Sequence, residues 1–126
     1  MHNWRKKMKT NNIVVDKSKA FAIRIVRMYQ YLCEEKHEYI LSKQAMRCGT
    51  SIGANVKEAI RGQSTADFIA KMNIALKEAS ETEYWIELLT ETDYLGSDMS
   101  ASILADCVEL IKLLSSIVKT AKKGEP

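Results

Sequence analysis

Ser42-Lys-Gln-Ala-Met-Arg-Cys-Gly-Thr-Ser-Ile-Gly-Ala-Asn-Val-Lys-Glu-Ala-Ile-Arg61 reads as a helix carrying an anomaly. Ile52, Val56, Ala59 and Ile60 recur at helical spacing, yet Gly49 and Gly53 lie inside the run, four residues apart. An interior glycine costs roughly 1 kcal/mol relative to alanine, so two of them call for a compensating gain. Residues four apart share a helix face, so Ala45, Gly49 and Gly53 form a strip almost free of side chains. Another backbone can approach closely there. Beside it Arg47, Ser51, Asn55 and Glu58 make a continuous polar stripe. The spacing predicts a helix that meets other helices, or other subunits, in a fixed register, with Asn55 as the register-setting amide.

Outward from this helix the periodicity gives three more. Upstream, Asp16 or Ser18 can cap a helix running to about Lys36, with Ala22, Ile25, Val26, Tyr29, Leu32 and Cys33 on its inner face. Ser42 is the expected cap of the second helix and Gly62 its stop. Ser64 can cap the third, with Asp67 reciprocating, and Gly96 is the expected end of that helix after Leu95. The fourth follows Ser97-Asp98-Met99-Ser100. Its residues Leu104, Cys107, Ile111, Leu114, Val118 and Ala121 alternate at spacings of three and four, and Ile103, Leu110, Leu113 and Ile117 widen the face toward more than one neighbour. Short connections force antiparallel neighbours. The expected fold is therefore all-α: an up-down-up-down antiparallel four-helix bundle over residues 16–123. Residues 1–15 show no sustained period and read as a flexible basic N-terminal arm.

Composition narrows the function classes. At 126 residues and 46% hydrophobic, the chain has the size and apolar content for one cored domain. Cys33, Cys48 and Cys107 are odd in number and widely spaced, which argues against a disulfide framework and fits thiols in a reducing cytoplasm. No stretch reaches the roughly 18–20 apolar residues of a membrane span. Net charge is only +3, but it is unevenly distributed. Residues 1–27 carry Arg5, Lys6, Lys7, Lys9, Lys17, Lys19, Arg24 and Arg27 against Asp16 alone. Residues 78–98 carry Glu78, Glu81, Glu83, Glu87, Glu91, Asp93 and Asp98 with no lysine or arginine. Such polarity suits a polyanion-binding face or subunits that pair positive against negative.

Catalytic readings find little support. A di-iron bundle site needs Glu-x-x-His on two helices, and the chain has only His2 and His37, of which His37 alone follows a glutamate, Glu34, by three. The same scarcity removes Ser-His and Cys-His nucleophile pairs. Glu78 and Glu81 share a face and are expected to be solvated or ion-paired. Tyr84 and Trp85 are expected in packing, whereas Trp4, beside Arg5-Lys6-Lys7, suits stacking on an unpaired base. No metal or organic cofactor is expected.

Arg47-Cys-Gly-Thr-Ser-Ile-Gly-Ala-Asn-Val-Lys-Glu58, followed by Phe68-Ile-Ala-Lys-Met-Asn-Ile-Ala-Leu-Lys-Glu-Ala-Ser-Glu-Thr-Glu-Tyr-Trp85, resembles the bacterial four-helix-bundle proteins known as 23S rRNA intervening-sequence proteins. The resemblance covers roughly residues 14–120. It implies a four-helix bundle that assembles into a ring, typically a homopentamer, without known catalytic activity. A more distant resemblance is to the accessory variability determinant of diversity-generating retroelements, which implies a reverse transcriptase and nucleic acid as partners. The basic stretch 1–12 departs from the simplest form of the pattern.

The functional expectation is a non-enzymatic, cytoplasmic homo-oligomer binding nucleic acid, RNA above DNA, through a basic surface. Lys17, Arg24 and Arg27 are its expected phosphate contacts, supplemented by Arg5, Lys6, Lys7 and Lys9. Arg47, Gly49, Ser51, Gly53, Asn55 and Glu58 are its expected helix or subunit interface. The alternative is an oligomeric adaptor whose acidic segment docks a nucleic-acid enzyme such as a reverse transcriptase.

Overall fold

Apolar residues at helical spacing need partners, and here four amphipathic helices supply one another. The computed structural model describes the backbone of residues 3–124 and the side chains from Thr10 to Gly124. Helix α1 spans Asn3–Glu34, α2 Leu41–Ile60, α3 Thr65–Glu91 and α4 Ser97–Lys123, with no strand among the described residues. Each helix packs on the next in the chain, and α1 closes sparsely on α4. The result is the expected four-helix bundle. Phe21, Ile25, Leu32, Ile52, Val56, Met72, Ile86, Leu89, Leu110 and Leu114 fill one shared core, all at most 1% exposed. Each such side chain contributes roughly 1.5–3 kcal/mol on burial.

The glycine strip faces α1 of the same chain. A Cβ on Gly49 would lie 2.8 and 2.9 Å from the two γ-carbons of Ile25, and one on Gly53 would lie 3.5 Å from the Ser18 backbone. Close approach of α1 to α2 is the gain that offsets the glycines' helix penalty.

Four local expectations need correction. The break at residue 15 does not exist, because α1 runs unbroken from Asn3. Val14 is fully buried and Val15 packs against the core. Extending a helix costs far less than nucleating one, so the stretch needs no apolar period of its own. At α2, Ser42 is not the cap; Glu38 is. Its carboxylate accepts from the backbone N–H of Ile40, Leu41 and Ser42 at 3.1, 3.0 and 2.7 Å. Ser42 Oγ instead donates to the Glu38 carbonyl at 2.7 Å. At α3 the stop is Asp93, not Gly96: Asp93 adopts φ 68°, and the N–H groups of Tyr94 and Asp93 donate to the carbonyls of Leu89 and Thr90. This is the two-bond helix ending that glycine usually supplies. Gly96 is the residue before α4, which starts at Ser97, earlier than expected. The Ser64 cap is where it was expected, accepting from Asp67 N–H at 3.1 Å.

Candidate nucleic-acid interface

Antiparallel order decides where the charges gather. The α1–α4 seam is stitched by Lys17 Nζ to Glu109 at 3.2 Å and by Arg24 Nη1 to Asp106 at 2.7 Å. Arg24 Nη2 also donates to Ser102 Oγ at 3.0 Å. Two of the three expected phosphate contacts are thus occupied by carboxylates of α4, from 92 and 82 residues away. Arg27 remains exposed on the outer face, with Gln30 Oε1 at 3.5 Å. The side chains of Arg5, Lys6, Lys7 and Lys9 lie outside the described residues, although their backbone forms the first turns of α1.

The same register carries those first turns toward the C-terminal end of α4, where Lys119, Lys122 and Lys123 are exposed. The α2–α3 connection reaches the same end and adds exposed Lys57 and Arg61 against exposed Glu58 and Asp67. The opposite end collects Glu34, Glu35, Glu87, Glu91, Asp93 and Asp98 against Lys36 and Lys43. The bundle therefore has a basic pole and an acidic pole. Two helix N-termini and two C-termini meet at each pole, so the backbone dipoles largely cancel. Side chains set the potential there.

Two surface depressions lie at the basic pole. A groove of about 550 Å³ between the end of α2 and the start of α3 is lined by Lys57, Arg61, Asp67 and Lys71. Lys71 is paired with Glu58 at 3.0 Å. A larger cleft of about 830 Å³ runs between α1, the α2–α3 connection and α4. Its polar lining includes Thr10, Asn11, Gln63, Thr65, Ser116 and Thr120, and its apolar lining Phe68, Ile117 and Ala121. Among the described residues that line it, no side chain carries a charge.

The polar stripe of α2 serves packing within the chain. Arg47 reaches α3, with Nη2 2.7 Å from Glu81 and Nη1 3.6 Å from Glu78, and Trp85 Nε1 donates to the same Glu81 oxygen at 3.1 Å. The two glutamates are thus ion-paired, as expected, and Trp85 is partly buried against the core. Asn55 bonds within its own helix: its Nδ2 donates to Ser51 O and Oγ at 2.9 and 3.0 Å. Arg47 and Glu58 carry the ion pairs between α2 and α3.

Cys48 and Cys107 are buried and Cys33 is half-buried. Burial pushes the Cys48 thiol up and drives Cys107 to about 12. Among the described residues no three His, Cys, Asp or Glu side chains cluster as metal ligands. No described helix is long and apolar enough to cross a membrane.

Residues 10–116 match the family model of the 23S rRNA-intervening sequence protein. The chain belongs to that family. Its match starts at Thr10, so the basic turns before it lie outside the family pattern. Among solved structures, the chain is similar to a protein of unknown function from the S23 ribosomal protein family of Bacteroides thetaiotaomicron. The two are 55% identical with a TM-score of 0.86, over 87% of this chain and 98% of that one. No curated protein matches the chain. The sequence reading did not bring Lys57, Arg61, Lys119, Lys122 and Lys123 together at one end. Their signal was present as basic residues near helix C-termini, but only the antiparallel order joins them to α1.

Proposed function

We propose that this intervening-sequence family member is a non-catalytic cytoplasmic homo-oligomer, a pentameric ring, that binds RNA through its basic pole. The observation that carries the reading is the convergence of Lys57, Arg61, Lys119, Lys122 and Lys123 on the end where α1 begins with Arg5, Lys6, Lys7 and Lys9. Arg27 adds a flanking contact. Lys17 and Arg24 contribute through the seam that holds α1 in place rather than as free phosphate ligands.

Self-association is supported by apolar side chains on outward faces. Ile23 is 52% exposed on the side of α1 away from the core, and Ile74 and Tyr84 are 42% and 57% exposed on α3. A neighbouring copy would cover them. Copies in a ring present several basic poles side by side, and multivalency turns weak single contacts into firm binding. Phosphate contacts of this kind give steep salt dependence and little sequence preference.

Size-exclusion chromatography with light scattering, recording absorbance at 260 and 280 nm, tests the reading. A ring-sized oligomer should hold RNA at low salt and release it at high salt, and charge reversal at Lys119, Lys122 and Lys123 should remove it. A monomer, or RNA retention indifferent to salt, refutes it. A second reading draws on the acidic pole, where Tyr39 and Ile40 are 58% and 75% exposed. An oligomer free of nucleic acid at low salt would favour this pole as the dock for a nucleic-acid enzyme such as a reverse transcriptase.

A further inference from the structure

The cleft at the basic pole has a lining unlike its surroundings. Lysines and arginines crowd the end of the bundle, yet the cleft itself is walled by hydroxyls, amides and apolar surface. Among the described residues of the lining, a charged ligand group would find no counter-charge. A flat ring with donors and acceptors around its edge, and an apolar face, would find partners for both. Gln63 and Asn11 each offer donor and acceptor functions, and Ser116, Thr120 and Thr65 offer hydroxyls. Phe68 is half-exposed in the first turns of α3, packed on the core on one side and lining the cleft on the other. The volume of about 830 Å³ lies within the roughly 300–1,000 Å³ typical of small-ligand sites. Lys119 and Lys123 flank Ser116 and Thr120 on α4, and Arg61 precedes Gly62 in the opposite wall. Lys6 and Lys7 lie one helical turn before Thr10 and Asn11 on α1.

We infer that this cleft takes an unpaired nucleobase of a single-stranded nucleic acid, with Phe68 as the stacking face and the basic rim holding the flanking phosphates. The inference rests on the RNA-binding reading and adds that the site selects unpaired strand over duplex. In a duplex both faces of every base are stacked and the pairing edges are used, so the cleft has nothing to engage. In a single strand a base can turn outward, exchange its neighbour for Phe68 and bond its edge to Gln63 and the hydroxyls. Base chemistry is common to RNA and DNA. Only a 2′-hydroxyl contact with the hydroxyl wall would separate them.

Fluorescence anisotropy on the full chain tests this, using a labelled oligoadenylate RNA of about twelve nucleotides, free or annealed to its oligouridylate complement. The single strand should bind at least tenfold tighter than the duplex. Phe68→Ala should weaken single-strand binding by roughly 5- to 150-fold, the loss of one stacked base, and leave duplex binding unchanged. Because Phe68 also packs on the core, Ser116→Leu provides a second variant: it fills the cleft from an exposed position and should abolish the same preference. A deoxyribose oligomer that binds as tightly assigns recognition to the base, and one that binds more weakly adds a sugar contact; both uphold the site. Equal binding of single strand and duplex, or a preference that survives both variants, overturns the cleft while leaving the basic pole intact. Absence of salt-sensitive binding to either form overturns the RNA reading and the cleft with it.

Discussion

Alanine at Gly49 and alanine at Gly53 should move stability in opposite directions. Both remove a glycine from the interior of α2, and each substitution alone should gain about 1 kcal/mol of helix propensity. The neighbours decide the rest. At Gly49 the new Cβ falls 2.8 and 2.9 Å from the γ-carbons of Ile25 and 3.2 Å from its Cβ. Ile25 is fully buried and β-branched, so its χ1 is held in one helical rotamer and cannot swing clear. Overpacking of this kind costs about 1–3 kcal/mol. Contact with the inflexible Cβ places the site in the upper part of that range, for a net loss of about 1–2 kcal/mol. At Gly53 the nearest atom is Ser18 Oγ at 3.4 Å, an ordinary contact, so the propensity gain survives. Urea melts at fixed protein concentration, necessary for an associating chain, should show Gly49→Ala less stable and Gly53→Ala more stable than the parent. Ile25→Ala, which removes both γ-carbons, should make Gly49→Ala far less costly in a double-mutant cycle. Equal shifts for the two alanines, or strict additivity with Ile25→Ala, would refute the argument that Ile25 fills the Gly49 notch.

Other outcomes follow from the same contacts. Burial alone would raise the Glu38 carboxyl, but the backbone donors of Leu41, Ser42 and Ile40 outweigh it and hold its pKa below the usual 4.5. Its stabilisation is therefore complete above about 4.5 and drains away as pH falls through the lower folded value. Glu38→Gln should cost about 1–2 kcal/mol at pH 7, and its difference from the parent should shrink in melts as pH falls below 4.5. With Cys107 titrating at about 12, its thiolate fraction at pH 8 is about one in ten thousand. A colorimetric thiol assay should accordingly detect Cys33 alone until denaturant is added, and rapid reaction of all three thiols would contradict the packing. Arg24→Ala should cost under about 1 kcal/mol because both members of the pair are over a third exposed. Charge exchange as Arg24→Asp with Asp106→Arg should restore more stability than either single change leaves, most visibly at low salt.

Much of the bundle was legible in the sequence, and the failures are specific. The periods of α2, α3 and α4 mark their inner faces because a core demands apolar residues at fixed intervals. Ser64 is readable as a cap because its bond is local. Glu38 was not readable as one, since it sits four residues before Ser42 and acts by folding back over the helix start. Asp93 was hidden behind Gly96, the residue usually expected at a left-handed position. The start of α1 was missed because, among residues 10–15, Val14 alone is fully buried and Thr10 and Asn11 line a polar cleft.

The sequence by itself determined the number of helices, their antiparallel order, and the need for some neighbour to fill the Gly49–Gly53 strip. These follow from periodicity, short connections and the cost of interior glycine, all properties of nearby residues. Only the tertiary structure decided which neighbour fills it, that Lys17 and Arg24 belong to Glu109 and Asp106, and that the ends of α1, α2 and α4 merge into one basic pole. Those outcomes depend on distances between residues far apart in the chain, and packing alone sets such distances.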